Sequence, residues 1–344
     1  MTYIIGEIGQ NHNGSIKIAK KLIDIATQSV NDKLFNINLS KINAIKLTKR
    51  DLKFELSNSQ MKSPYLNKNS FGKTYGEHRS FLELTENQHF ECYKYSKEKN
   101  IDFIETLCAP SCLSILKLFT PDKLKIASRD LTNLPLIYTL AETKIPLILS
   151  TGMGGKKELD TALNIITKFH SNINILHCVS QYPTKPKNVN LNTINYLKEK
   201  YPKYKIGYSD HTVGISIPVA AVAMGAEIIE KHITLDRNMK GSDQLNSLGP
   251  DGIRRMIRDI RLLELSLGKK DFFISSETKD IQKKLERSIA TNKKLKKNTI
   301  IKESDIHLLS PGDGFKWIQR NEVIGKRINQ DLNSNEIIYS KMLN

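Results

Sequence analysis

Eight short apolar runs punctuate residues 1–268: YIIGEIG (3–9), NAIKLT (43–48), IDFIETL (101–107), KLKIAS (123–128), IPLILST (145–151), INILHCV (173–179), YKIGYSD (204–210) and AEIIEKHI (226–233). Their length and β-branched content predict strands. Between them lie SIKIAKKLIDIATQ, ENQHFECYKYSKEK, SCLSILKLF, NLPLIYTLAE, KKELDTALNIITKF, NLNTINYLKEKY and ISIPVAAVAMG, with DGIRRMIRDIRLLELSL after the eighth run. These carry apolar residues at three- and four-residue spacing and predict helices. Eight β–α units predict an α/β fold of the (β/α)8 TIM-barrel type over residues 1–268. A doubly wound open sheet is the alternative. It rarely needs eight units, and no G-x-G-x-x-G follows the first run.

The pattern changes after Gly268. Residues 269–286 are mostly polar and read as a linker, and residues 287–344 read as a small β-rich domain built from RSIATNKKL, KNTIIKESDIHLL, SPGDGFKW and IGKRINQDL. A core of that size is marginal alone and calls for a partner surface. Within the larger unit, the stretch SPYLNKNSFGKTYGEHR (63–79) is a long insert rich in Gly, Tyr, Ser and basic residues. Its aromatics and hydrogen-bonding side chains predict an ordered lid.

The strand ends carry the candidate chemistry, because a barrel of this type places its active site there. Glu7 ends the first run and is followed by Gln10, Asn11 and His12. Lys46 lies inside the second, with Thr48 facing the same side. Thr106 ends the third, and Lys125, Ser128 and Asp130 mark the fourth. Ser150 closes the fifth, Ser180 and Tyr182 follow the sixth, Ser209, Asp210 and His211 end the seventh, and Glu230 and His232 lie in the eighth. Hydroxyls at strand ends are unremarkable, but two lysines inside apolar runs are not, since a buried ammonium needs an anion beside it. Lys46 and Lys125, with Thr106, Ser128, Ser150 and Ser209, suit a phosphate or a carboxylate. His211 and His232, at the ends of adjacent strands, suit one divalent ion, with Glu7 and Asp243 available as oxygen donors. His89 and His170 read as helix-surface residues, and Cys108, Cys112 and Cys178 as barrel packing.

A net charge of +17 raises a nucleic-acid partner, but the lysines are scattered and no nucleic-acid motif is present. No run reaches the ~20 apolar residues of a membrane span. MTYIIGEIGQNHNG lacks a basic n-region and reads as a first strand rather than a signal peptide. Four cysteines without paired spacing fit a reduced, cytoplasmic compartment.

The motifs GEIGQNHNGS, SFGKTYGEHR, STGM, QYPT, GYSDHTVG, EKHITLD and KGSDQLNSLGPDG resemble the sialic acid synthase family over nearly the whole chain. SPGDGFKW and IGKRI resemble the family's C-terminal antifreeze-protein-like (SAF) domain. The resemblance implies a transferase, a (β/α)8 barrel joined to that domain, and a domain-swapped homodimer. It implies metal-dependent (Mn2+ or Mg2+) condensation of phosphoenolpyruvate with an N-acetylmannosamine-type sugar, releasing phosphate by C–O cleavage. Carried over, His211 and His232 are metal ligands, and Lys46, Thr106, Lys125, Ser128, Ser150, Ser180 and Ser209 hold phosphoenolpyruvate. Glu7 and Asp243 handle protons and water, and Thr48, Asp130, Tyr182 and Asp243 face the sugar. The departures fall on the acceptor side: Thr48 where an amide is usual, Ser310 where bacterial members often carry Arg, Gln244 in place of His, and an irregular stretch at 31–43. A legionaminic or pseudaminic acid synthase, a 9-phosphate synthase acting on a 6-phosphorylated sugar, and a non-catalytic sugar-phosphate-binding homologue are the alternatives.

Overall fold

All eight apolar runs form parallel strands in the computed structural model, which describes residues 1–32 and 36–344. They are β1 (Tyr3–Gly9), β2 (Ala44–Lys49), β3 (Asp102–Leu107), β4 (Lys123–Ile126), β5 (Leu147–Ser150), β6 (Ile173–Cys178), β7 (Lys205–Asp210) and β8 (Ile228–His232). Each pairs with its sequence neighbour, and β8 returns to β1, so the barrel has no free edge. The fourth run stops short of its expected end: β4 finishes at Ile126, and Ser128–Asp130 turn as one 3-10 helix.

Residues two apart on a strand face the same way, and the barrel interior is layered accordingly. Ile5, Ala44, Ile104, Ile148, Leu176 and Ile228 make an apolar plug, with Tyr3 packed against it. Two positions further on, the inward residues become Glu7, Lys46, Thr106, Ser150, Cys178 and Glu230, all buried. The plug thus supports a polar layer near the C-terminal strand ends.

The outward faces of the strands pack on helices. Ser15 caps the helix Ile16–Ala26 by accepting from the Ile18 N–H, and Ala19, Leu22, Ile23 and Ala26 form its buried stripe. Each such Leu or Ile contributes about 1.5–3 kcal/mol. The last barrel helix, Pro250–Ser266, buries Ile253, Met256, Ile257 and Ile260. Its Arg261 donates to the Thr2 carbonyl at 2.9 Å and to Asn43 Oδ1 at 3.2 Å, tying the starts of β1 and β2 together.

Three local expectations change. SCLSILKLF forms a 3-10 helix, Pro110–Lys117, in the connection from β3 to β4. His89 is not on the surface: it is fully buried, with Nδ1 2.6 Å from Glu105 Oε1. His170 lies beyond the helix Lys156–Ile166 and is half-buried. In the irregular stretch 31–43, Asn31–Asp32 pairs antiparallel with Ile37–Asn38, while positions 33–35 lie outside the described residues.

The chain divides into two units, Met1–Gly268 and Lys269–Asn344. In the second, the polar segment holds a helix, Ser276–Leu285, capped by Ser275 and with no buried residue. Ser288–Thr291 pairs antiparallel with Ile306–Leu309 over a small core of Ile289, Leu295, Ile301, Val323, Ile328, Leu332 and Ile338. Ser310 Oγ donates to the Leu285 carbonyl at 2.9 Å. Among the described residues no helix is long and apolar enough to cross a membrane.

Candidate active site

A cavity of about 420 Å3 lies over the polar layer. Lys46 Nζ is 2.6 Å from Glu7 Oε2 and 3.9 Å from Glu230 Oε1, and it donates to Thr106 Oγ1 at 3.2 Å. Lys125 Nζ donates to Glu230 Oε1 at 3.1 Å, and Ser209 Oγ donates to the same oxygen at 3.0 Å. Two ammonium groups and two carboxylates are therefore interleaved out of water. Each pair would be costly to break, because the remaining charge stays buried.

Burial pushes Glu7 up to about 7, with nearby Glu230 adding to the rise and the Lys46 ammonium opposing it. Burial also works against ionised Glu230, but Lys125 and Lys46 outweigh it and hold that carboxyl below its usual range. The neighbouring carboxylates thus differ: the two ammonium groups favour the ionised form of Glu230, whereas burial favours the protonated form of Glu7. Ser150 Oγ and Glu230 Oε2 are buried without a hydrogen-bond partner, so the layer retains unused polar valence. Ser128 Oγ accepts from the Gly152 N–H at 3.0 Å. A Cβ at Gly152 would fall 2.5 Å from Ser180 Oγ and 2.8 Å from Ser128 Oγ, so only glycine lets this loop approach.

His211 and His232 meet at the same cavity, their ring centroids 5.5 Å apart. His211 Nδ1 lies 3.0 Å from the Val179 carbonyl, which places the proton on Nδ1 and leaves Nε2 as the free lone pair. His232 Nδ1 is buried and unpartnered. Burial, reinforced by the neighbouring His232, pushes His211 down to about 4; burial and the Lys46 charge push His232 down to about 3. Two neutral, convergent imidazoles fit a divalent ion. Among the described residues no group of three or more His, Cys, Asp or Glu is arranged to hold a metal.

The expected residues Glu7, Lys46, Thr48, Thr106, Lys125, Ser128, Ser150, Ser180, Tyr182, Ser209, His211, His232 and Asp243 all line this one cavity. Asp130 does not; it pairs with Arg129 Nε at 3.3 Å, and Arg129 forms the wall instead. Cys178, buried in the barrel, also lines the cavity, 3.8 Å from His211 Nδ1. The Tyr182 ring lies against His211 in a tilted contact, centroids 4.2 Å apart and planes inclined at 46°.

Sequence reasoning gave no role to Glu230 or to the wall arginines Arg50 and Arg129, while Arg79 belongs to the basic insert whose side chains suit an anion. Arg50 sits two residues beyond Thr48, and that spacing was the available signal. Arg50 Nη1 lies 2.8 Å from Glu55 Oε2, which is also 3.4 Å from Arg129 Nη2. The insert is ordered: Thr74 and Glu77 form a capping box for the helix Tyr75–Phe81, and Phe71 stacks on Phe81 at 4.6 Å. That helix supplies Arg79, which donates to Gln10 Oε1 and, at 3.0 Å, to Tyr75 OH.

The family model described as the NeuB family matches residues 37–272, and a SAF domain model matches residues 286–344. The chain belongs to the NeuB family. This NeuB-family chain is 35% identical over 300 residues to human (Homo sapiens) N-acetylneuraminate-9-phosphate synthase, covering 87% of the chain and 78% of that protein. It is 34% identical over 344 residues to N,N'-diacetyllegionaminic acid synthase of Campylobacter jejuni, covering 98% of each. Among solved structures it resembles the N-acetylneuraminic acid synthetase of Leptospira borgpetersenii, in complex with citrate. That likeness has a TM-score of 0.68 and 32% identity, and covers 81% of this chain and 90% of that one.

Proposed function

We propose that this NeuB-family chain is a phosphoenolpyruvate-dependent nonulosonic acid synthase, an N-acetylneuraminate synthase that joins phosphoenolpyruvate to N-acetylmannosamine. The observation that carries the reading is the buried Lys46 and Lys125 pair, set among hydroxyls in the cavity that His211 and His232 also line. Such a layer suits a small donor bearing both a phosphate and a carboxylate.

In this reading Lys46 and Lys125 exchange their internal carboxylate partners for the donor's anionic groups, and Thr106, Ser128, Ser150, Ser180 and Ser209 complete the hydrogen bonds. His211 and His232 would hold a divalent ion, Mn2+ or Mg2+, whose chemistry is Lewis-acid polarisation of the open-chain sugar aldehyde. Enolpyruvate C3 attacks that carbonyl carbon, water adds at C2, and phosphate leaves with its bridging oxygen by C–O cleavage. Glu7, at about 7, can take a proton from that water and return one later. Asp243 and Tyr182 face the acceptor, with Thr48 beside them.

A second reading, a legionaminic or pseudaminic acid synthase, is favoured by the hydroxyl of Thr48, which lines the cavity where an amide is usual. The test is mass spectrometry of products from phosphoenolpyruvate, Mn2+ and a panel of mannosamine derivatives. A nine-carbon N-acetylneuraminate mass supports the first reading, a diacetamido product supports the second, and no phosphate release with any sugar refutes both. A domain-swapped homodimer, in which the small unit completes the partner's site, belongs to the same proposal. Full activity from a species that sediments as a monomer refutes that part.

A further inference from the structure

β7 and β8 deliver His211 and His232 to the cavity, and the residues just before them, Asp210 and Lys231, face outward. Asp210 and Lys231 are register partners across the two strands. Both side chains are fully buried, and the Lys231 ammonium contacts Asp210 Oδ2 directly. The same ammonium also donates to the Thr212 carbonyl. Asp210 accepts in turn from Tyr208 OH at 2.9 Å, from the Thr212 N–H at 3.0 Å and from Thr212 Oγ1 at 3.0 Å. One buried cation therefore brackets His211, gripping the residue before it and the residue after it, while itself preceding His232.

Stability alone does not account for this arrangement. An ion pair buried against the helix layer is often no more stabilising than apolar residues of the same volume. What it supplies is direction: it fixes the backbone on both sides of His211 relative to the strand that carries His232. We infer that Asp210 and Lys231 are positioning residues for the imidazole pair, setting its affinity for a divalent ion without touching the ion or the substrates. The inference rests on the metal reading above.

The test compares Mn2+ binding by calorimetry, without substrates, in the full-length wild type, Lys231→Met and the double variant Asp210→Leu/Lys231→Met. Thermal unfolding is measured in parallel. Lys231→Met leaves a buried carboxylate uncompensated and lowers Tm; the double variant recovers Tm because no charge remains. The expected result is that Mn2+ affinity falls about 10–100-fold in both, including the double variant whose stability has returned. The KM for phosphoenolpyruvate stays within about twofold, since Lys46 and Lys125 are untouched. If the double variant regains wild-type Mn2+ affinity along with its Tm, the pair serves stability only and the inference is overturned. If wild type binds no Mn2+ at all, the metal reading itself fails and takes this inference with it.

Discussion

Glu230 acts as the internal counter-ion of both cavity lysines, and its neutralisation makes the sharpest prediction. In Glu230→Gln, Lys125 loses an anion at 3.1 Å and Lys46 loses one at 3.9 Å. At an effective dielectric of about 20 these attractions are about 5 and about 4 kcal/mol. Part is regained, because the Gln carbonyl still accepts from Lys125 and Glu7 ionises more readily without its negative neighbour. A net loss of about 3–5 kcal/mol remains, the usual cost of breaking a buried pair. For the unit Met1–Gly268, unfolding entropy of about 2.1 cal/mol/K per residue converts this to a Tm lower by about 5–9 °C. Phosphoenolpyruvate supplies the missing anions, so saturating donor raises the variant's Tm more than it raises that of wild type. Differential scanning calorimetry with and without phosphoenolpyruvate measures both quantities. A Tm within about 2 °C of wild type, or an equal donor-induced shift in the two proteins, would refute the counter-ion argument.

Lys125→Ala raises the KM for phosphoenolpyruvate at least about tenfold while the sugar KM changes little, and steady-state kinetics with each substrate varied reads the difference. His232→Ala removes turnover and calorimetric Mn2+ binding while the circular dichroism spectrum is retained; near-normal rates in saturating Mn2+ contradict its ligand role. His211 and His232, held down to about 4 and about 3, are neutral when folded but bind protons when unfolded below about 6.5. Their contribution to stability is full above that pH and is lost as pH falls towards 4, so Tm declines across this window. His211→Asn flattens the decline, and an unchanged slope counts against the assignment.

The barrel was legible because each strand is a compact apolar run, and inward and outward positions alternate without interruption in most of them. Lys46 and Lys125 stood out as charges inside such runs. Glu230 carried the same signal, two residues after Ile228 and two before His232, yet a glutamate near a strand end also suits solvent. His89 was misread because its helix is polar overall, although His89, Cys92 and Ser96 form a buried stripe at helical spacing. The arginine-bearing wall of the cavity was the least legible part. Gln10, Arg50, Arg79 and Arg129 come from three separate connections, Arg50 and Arg79 lying 29 residues apart in the same one, and no local pattern brings them together.

The two halves of the cavity are built from different material. The floor, with Lys46 and Lys125, stands on a closed ladder of strands over an apolar plug, where a shift in any member disturbs its neighbours on both sides. The wall is assembled from loops and from an insert that holds itself together through its own caps and aromatic stacks. Exchanging that insert, or the arginines beside it, leaves the ladder intact. On the proposed function, diversification of this scaffold toward new sugars can proceed by grafting one wall, while the floor beneath is inherited unchanged.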